Sequence, residues 1–577
     1  MQELLSGLFV FALTGAYIYL LGFFQQLNQY WLIPIPFMGW LFALDRLFRG
    51  RLFQFKKPDW SVFEWVLAVF ILLFLIIRLW RVLSFNSFGD PLYYNLPVGR
   101  DYLQAGAIKW MPWEPFYPQA GFAEIWMIYL HALTPFSHLT QITSQGFYFI
   151  VGVILPALFL YKVFLPRWFN REACGLIAFS FLVIPPYRLE SIVAKPDLSL
   201  MLLFILCLEL WRRNVQQKNP INQNWIFFLV LLQISIKTTA ALYLVPWVVV
   251  MIIAQPREWL TRFWPRSLFF VFSLGIAFLN PLKNWLLIQN PFYPLLLKYF
   301  PTDLLDANAG SLDQHFARQL SSWGDYLTNF GQIFTLVPLL LIWVLLTLLI
   351  FFTGWRPKKL LIEDRNFLLH LAVTIVGAFF IWRFNFSAEV FLRFLVGFVY
   401  LLILTPLIWI GASNLWKDVP RWKNWGLWLG FISVLGYTHS AVDFQQSRNA
   451  YISGSRESAW IQESGIAELT NFLKDKMDSE DILLPYLYQN RIHAPYRVYG
   501  SYKHSIWTSF IYTKSPKTAL NGLAKLKPSF YALEKKKLNQ PQQIMTSKEF
   551  LDKHLIFEAE LRDYLVYRVP LTKNTSL

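Results

Sequence analysis

The strongest constraint on this chain is a recurring apolar run, long enough each time to cross a bilayer. Leu4 to Phe24, Phe63 to Phe85, Phe147 to Leu165, Leu268 to Leu287, Ile333 to Phe352 and Phe391 to Ile410 are such runs. At ~1.5 Å per helical residue each reaches across a hydrocarbon core of ~30 Å. In lipid the backbone must satisfy its own N–H and C=O groups, so runs of this kind fold as helices. Composition agrees: 56% of the 577 residues are hydrophobic and only 15% are charged, against roughly 25% charged in a soluble domain. The first run is too long for a signal-peptide core and lacks a basic start and an A-x-A site, so it is expected to be a retained span. Cys174 and Cys207 both fall within apolar segments, a pattern of small apolar packing and not of a disulfide or zinc framework.

A net charge of +17 suits either nucleic acid or the orientation of a membrane protein, and the placement of the charges separates the two. Basic residues recur at every second crossing: Arg46, Arg49, Arg51, Lys56 and Lys57; Lys162, Arg167 and Arg171; Arg212, Arg213 and Lys218; Arg257, Arg262 and Arg266; Arg356, Lys358, Lys359 and Arg365; Lys417, Arg421 and Lys423. That is the pattern of cytoplasmic loops, so the bilayer is the partner and nucleic acid is not. Phe122 to Leu133 would extend only ~18 Å and is expected at the outer interface.

The sequence therefore predicts an α-helical polytopic membrane protein of about thirteen crossings with its N-terminus inside. Its transmembrane body is 1–443, with a first external loop at 85–144 that holds the interfacial helix and an external loop at 288–329 long enough to act as a lid. A small extracytoplasmic α/β domain is expected over 444–577. There, helical patterns at Ile466 to Met477 and around Ala519 to Lys525 alternate with strand-like runs at Ile482 to Tyr488, Ser529 to Leu533 and Tyr564 to Val569.

Two hairpins look short, Ala173 to Tyr187 with Leu198 to Trp211, and Trp225 to Ile236 with its successor. Their outer tips carry Arg188, Glu190, Lys195, Asp197 and Lys237. Charged, non-helical backbone below the membrane surface is tolerated only where it lines water or is buried in protein, which implies a recessed cavity facing outward.

In the first external loop, Asp90 stands before a proline, and Tyr93 and Tyr94 follow in Tyr93-Tyr94-Asn95-Leu96-Pro97; later comes Tyr117-Pro118-Gln119, with Glu124 five residues on. By position alone these suit a turn former and interfacial aromatics. Together they resemble the first external loop of the GT-C superfamily of membrane glycosyltransferases, especially bacterial members that use polyprenyl-phosphate sugars. Lys195-Pro196-Asp197 resembles the basic-acidic pair that opens a middle span. Asn280-Pro-Leu-Lys283-Asn284 followed by Asn290-Pro-Phe-Tyr-Pro294 resembles the Arg-Asn and Gly-Asn-Pro-x-Tyr-Pro elements, and Arg393-Phe394 the late Arg-Tyr or Arg-Phe. The resemblance covers 84–393. It departs from the family where Lys283 replaces an arginine and where the acidic pair of several families is reduced to Asp90, with Asp101 some way off. Whether a divalent ion, Mg or Mn, assists stays open.

The resemblance implies a GT-C-like fold, a multi-pass protein of the cytoplasmic (inner) membrane, and a site on the periplasmic side. It implies transfer of a sugar with inversion from a polyprenyl-phosphate-linked donor to an extracytoplasmic glycan, lipid or protein. Asp90 is the candidate general base, since a carboxylate within ~3 Å can take the acceptor's proton. The leaving phosphate needs only fixed positive charge, for which Lys195, Lys237, Lys283 and Arg393 are candidates. Tyr93, Tyr94, Glu124, Asp197 and Asn284 complete the expected substrate-binding set. Two alternatives remain: a polysaccharide polymerase or ligase acting on a diphosphate-linked chain, and a transporter of lipid-linked saccharide. The chain shows no paired internal repeats of the transporter kind.

Overall fold

A helical hairpin begins the chain. Helix α1 (Gln2–Phe23) packs against α3 (Pro34–Arg49), joined through the single turn α2 (Gln29–Leu32). The turn follows from its residues. The Asn28 side chain accepts a hydrogen bond from the Trp31 N–H at 3.2 Å, and Pro34 opens α3 where a missing N–H costs nothing. The computed structural model describes residues 1–50, 60–83, 96–111, 117, 120–134, 137–182, 199–217, 220–237, 240–254, 268–291, 300, 362–385, 396–412, 427–428, 431–432, 466–478, 481–485, 497–498, 513–540 and 543–570.

The body continues with α4 (Val62–Val82), two helices of the 85–144 segment, α5 (Leu96–Gln104) and α6 (Phe122–Leu133), and then α7 (Ser137–Phe149). Helix α7 runs on to Arg167 through two π-helical segments, Ile150–Ile154 and Leu160–Phe164, that flank Leu155–Phe159. Pro156 lies between them; it has no N–H and crowds the preceding turn, and wider turns on either side accommodate it. Next come α8 (Arg171–Leu182), α9 (Ser199–Gln217), α10 (Pro220–Ile236), α11 (Ala241–Ala254), α12 (Leu268–Ile288), α13 (Ile362–Asn385) and α14 (Val396–Ala412).

By length and composition six of the described helices can cross a membrane: Gln2–Phe23, Gln29–Arg49, Val62–Leu79, Leu139–Arg167, Leu268–Ile288 and Glu363–Ile381. Shorter apolar helices include Phe122–Leu133, whose residues are nearly all buried among α1, α5, α7 and α10. The expected span at Ile333 to Phe352 lies outside the described residues. The second short hairpin is longer than expected. Its first arm, helix α10, begins at Pro220 instead of Trp225, and in the first short hairpin α9 extends to Gln217 instead of Trp211. Proline favours the first helical turn, and the amides at Asn222, Gln223 and Asn224 continue a helix that an apolar count leaves out. At 17 residues α10 measures ~25 Å, still less than a full hydrocarbon core.

At one end of the bundle the basic residues meet acids. Arg171 Nη2 donates to Glu64 at 2.7 Å, and Arg167 reaches Asp364 at 3.3 Å. Fully buried Glu209 takes both Arg212 and Arg213 at 2.7 and 2.6 Å. A carboxylate buried in an apolar helix requires such partners.

The C-terminal residues form a five-stranded sheet in the order β2-β1-β3-β5-β4, with β1 Ile482–Pro485, β2 Arg497–Val498, β3 Phe530–Glu534, β4 Ile556–Glu560 and β5 Tyr564–Arg568. Pairing is parallel from β2 through β3 and antiparallel from β3 to β4. Helices α15 (Ile466–Lys474), α16 (Pro516–Leu526) and α17 (Lys548–His554) accompany it. Strands β1, β3 and β5 fall on the three strand-like runs read from the sequence, and β2 and β4 add to them.

Candidate active site

At the end away from these ion pairs, α5, α6 and the turn that opens α6 are anchored from several sides. Helix α5 lies on α6: Gly99 sits against the α6 backbone, where a Cβ would come within 2.9 Å of the Met127 carbonyl carbon, and the His131 ring bonds the Leu96 carbonyl at 2.8 Å. Burial pushes the His131 pKa down to about 4, so the neutral ring donates through Nε2. Asp101 on α5 is held by Arg100 at 2.9 Å and accepts a hydrogen bond from the Tyr117 hydroxyl.

Glu124 stands in the first turn of α6 and accepts the Gly121 N–H at 2.9 Å, the reciprocal half of a capping box. Gly121 is required by close approach. A Cβ there would lie 2.5 Å from the Ile236 carbonyl oxygen and 3.1 Å from that of Ser235. The end of α10 therefore abuts this turn, and Lys237, half-buried, is the next residue. From α12, the Lys283 side chain is fully buried, and its ammonium donates to the Tyr117 carbonyl at 3.3 Å and to that of Ala120. The Glu124 carboxylate is close enough to interact with it electrostatically. A buried ammonium needs this compensation. One turn earlier, Asn280 accepts from the Tyr19 hydroxyl at 3.5 Å, and beside Lys283 the Asn284 Oδ1 is buried with no hydrogen-bond partner. Ser235 ties α10 to α12 through the Ile276 carbonyl at 3.0 Å.

Four of the sequence-derived candidates thus gather here: Glu124, Lys283 and Asn284 in the cluster and Lys237 at its edge. Lys283 is not a snorkelling surface cation; it holds the Tyr117 and Ala120 carbonyls. Asp90, Tyr93, Tyr94, Lys195, Asp197 and Arg393 lie outside the described residues. Asp101 of α5 is engaged by Arg100 and Tyr117. Among the described residues no three His, Cys, Asp or Glu side chains come together as a metal site, and no step below is routed through a metal.

The fold is similar to that of ArnT from Cupriavidus metallidurans. Its crystal structure bound to undecaprenyl phosphate aligns over 88% of this chain and 98% of that one, at 12% identity and a TM-score of 0.49. The apo structure of the same protein aligns over the same shares with a TM-score of 0.48. No protein-family model matches the sequence, and no curated protein matches it significantly.

Several residues of the site escaped the sequence reading. Tyr19 is an aromatic inside an apolar run, with nothing local to mark its hydroxyl's partner 261 residues away. Gly121 betrays itself only through what packs on it. Outside the cluster, Arg78 left a signal: an arginine within the run Phe63 to Phe85. It is buried in the last turns of α4, with its guanidinium 5.2 Å from the Phe74 ring centroid, a few residues before the segment that holds Asp90.

Proposed function

We propose that this protein is a membrane glycosyltransferase that moves a sugar from a polyprenyl-phosphate-linked donor to an acceptor hydroxyl on the extracytoplasmic side. The observation that supports it best is the convergence of Glu124, Lys283, Asn284 and the Lys237 end of α10 on the first external loop. These residues come from three separate parts of the chain, and each was singled out for this chemistry.

The acceptor oxygen attacks the anomeric carbon from the face opposite the phosphate, and the configuration inverts. The bond from that carbon to the phosphate oxygen breaks, and its electron pair leaves with the polyprenyl phosphate. Asp90 takes the hydroxyl proton as the new bond forms. Lys237, with Lys195 and Arg393, offsets the charge that grows on the leaving phosphate. Lys283 and Glu124 fix the Tyr117 and Ala120 carbonyls and the Gly121 turn where α6 begins.

The test is Asp90→Asn in proteoliposomes supplied with lipid-linked donor, measured as release of polyprenyl phosphate. An amide keeps the shape but takes no proton, so the rate is expected to fall ~100-fold or more with folding unchanged. Retention of more than about a tenth of the rate would remove Asp90 from the role.

A further inference from the structure

The apolar run Trp225 to Ile236 is broken by one amide, Gln233, which is fully buried and stands one helical turn before Lys237. An amide taken into an apolar interior is costly unless its donors and acceptor are used. Here they are. Gln233 Nε2 donates to the Leu229 carbonyl at 3.2 Å, one turn back on α10, and to Cys207 Sγ of α9 at 3.5 Å. Gln233 Oε1 accepts from the Tyr243 hydroxyl of α11 at 3.4 Å. The Tyr243 ring, also fully buried, meets Phe204 of α9 edge to face with centroids 5.1 Å apart. One side chain thus joins three helices. For stability alone, apolar residues of the same shape at both ends of such a bond serve about as well. What the amide and the hydroxyl add is a fixed geometry.

The place of the bond shows what that geometry fixes. Gln233 precedes Lys237 and Tyr243 follows it, so the bond between their side chains closes a ring of chain with Lys237 inside it. The Lys237 backbone is fastened on both sides: its N–H donates to the Gln233 carbonyl at 2.9 Å, and its carbonyl accepts from the Ala240 N–H at 3.0 Å. Ser235 ties the same turn to the Ile276 carbonyl of α12 at 3.0 Å, and the Ile236 carbonyl packs on Gly121. A lysine meets a phosphate as a point charge on a flexible stem, so the position of its backbone decides how much of that charge the phosphate feels. We propose that Gln233 and Tyr243 are positioning residues for the donor-phosphate cation. Their hydrogen bond, braced by Cys207, holds the end of α10 so that Lys237 meets a polyprenyl phosphate without first being ordered. The inference rests on the glycosyltransferase reading and on the part of Lys237 in it. Neither residue belongs to the motifs that resemble the GT-C family.

The test measures polyprenyl-phosphate binding to the full chain in nanodiscs, with the melting temperature taken on the same samples. Tyr243→Phe deletes one hydroxyl and keeps the ring against Phe204. It should weaken binding about two- to tenfold, the range that one neutral hydrogen bond allows. Gln233→Leu should act alike, and the double variant should lose no more than either single one, since all three break the same bond. In a Lys237→Met background Tyr243→Phe should weaken binding no further, which a bond that only packs helices does not require. Thr374→Val removes another buried hydroxyl, bonded to the His370 carbonyl at 2.7 Å on α13, and should alter stability without altering affinity. Unchanged affinity in Tyr243→Phe, whatever its melting temperature, would overturn the inference and leave the enzyme standing. So would an undiminished effect in the Lys237→Met background, because the bond would then not act through Lys237. Unchanged affinity in Lys237→Met itself would remove the cation that the bond is said to place, and the inference with it. A wild type that binds no polyprenyl phosphate would bring down the glycosyltransferase reading as well.

Discussion

Lys237 and Lys283 show how burial assigns different work to like residues. The Lys283 ammonium is shut away from solvent against two backbone carbonyls, whereas Lys237 stands half-buried where α10 ends. Neutralising Lys237 to Met should therefore weaken donor binding and slow transfer while the protein still folds, because the leaving phosphate loses a charge within a low-dielectric site. Asp197→Asn should act more weakly, since it releases Lys195 without removing a phosphate contact. Lys283→Met should behave otherwise. It removes the donor to the Ala120 carbonyl and one of two donors to the Tyr117 carbonyl, which keeps the Ala120 N–H at 3.1 Å; at roughly 1–3 kcal/mol for the group left unsatisfied it should lower the melting temperature. Donor affinity and thermal stability measured on the same variants separate these outcomes, and unchanged affinity in Lys237→Met would dispose of its phosphate role. The sequence marked both lysines but did not divide the work between them. Asn280-Pro-Leu-Lys-Asn284 carries no sign that its lysine turns inward to a backbone about 160 residues away.

Among the elements, the pairing of α5 with α6 has a pH dependence that follows from His131. Its folded pKa is depressed from 6.5 to about 4, by burial above all, with Arg100 also lowering it and the Leu96 hydrogen bond and Asp101 acting the other way. Protonation thus favours the unfolded chain. The stability that the neutral ring contributes is present above pH 6.5 and is lost as pH falls toward 4, by up to about 1.4 kcal/mol per pH unit. Melting temperatures followed through this window should fall more steeply for the wild type than for His131→Gln, whose amide can donate to Leu96 without titrating. Equal slopes would show that His131 does not govern the acid response. Which elements were legible depends on the same physics. Apolar period and length exposed α1, α4, α7 and α12. The amide-rich ends of α9 and α10 were missed because a helix leaving the hydrocarbon no longer needs apolar side chains. Strand β4 was missed because it is an edge strand with a register shift between Phe557 and Ala559, and Ile556 and Phe557 are both about half exposed, so no alternation survives to be read.

Over the whole molecule, the proposed mechanism requires the candidate groups to share one face of the membrane, and that depends on orientation. The basic loops expected on the cytoplasmic side supply the arginines Arg167, Arg171, Arg212 and Arg213, which the fold pairs with Glu64, Asp364 and Glu209. Such pairing does not weaken the orientation argument, because acids contribute little to the rule and Lys and Arg are what it counts. The Glu124–Lys283 cluster lies at the other end of the bundle, where α5 and α6 are anchored. Cysteines placed singly at Ser87, Asp313 and Ser479 should therefore react with an impermeant maleimide added to intact cells, and one at Gln54 should react only after the membrane is opened. The native thiols do not confuse the assay: Cys174 and Cys207 are both buried. A reagent-accessible Gln54 site would invert the bundle and put the lysines on the face opposite to an extracytoplasmic acceptor. Labelling at Ser87 but not at Ser479 would leave the active site in place and move only the C-terminal sheet, so the four positions report separately on the chemistry and on the domain that follows it.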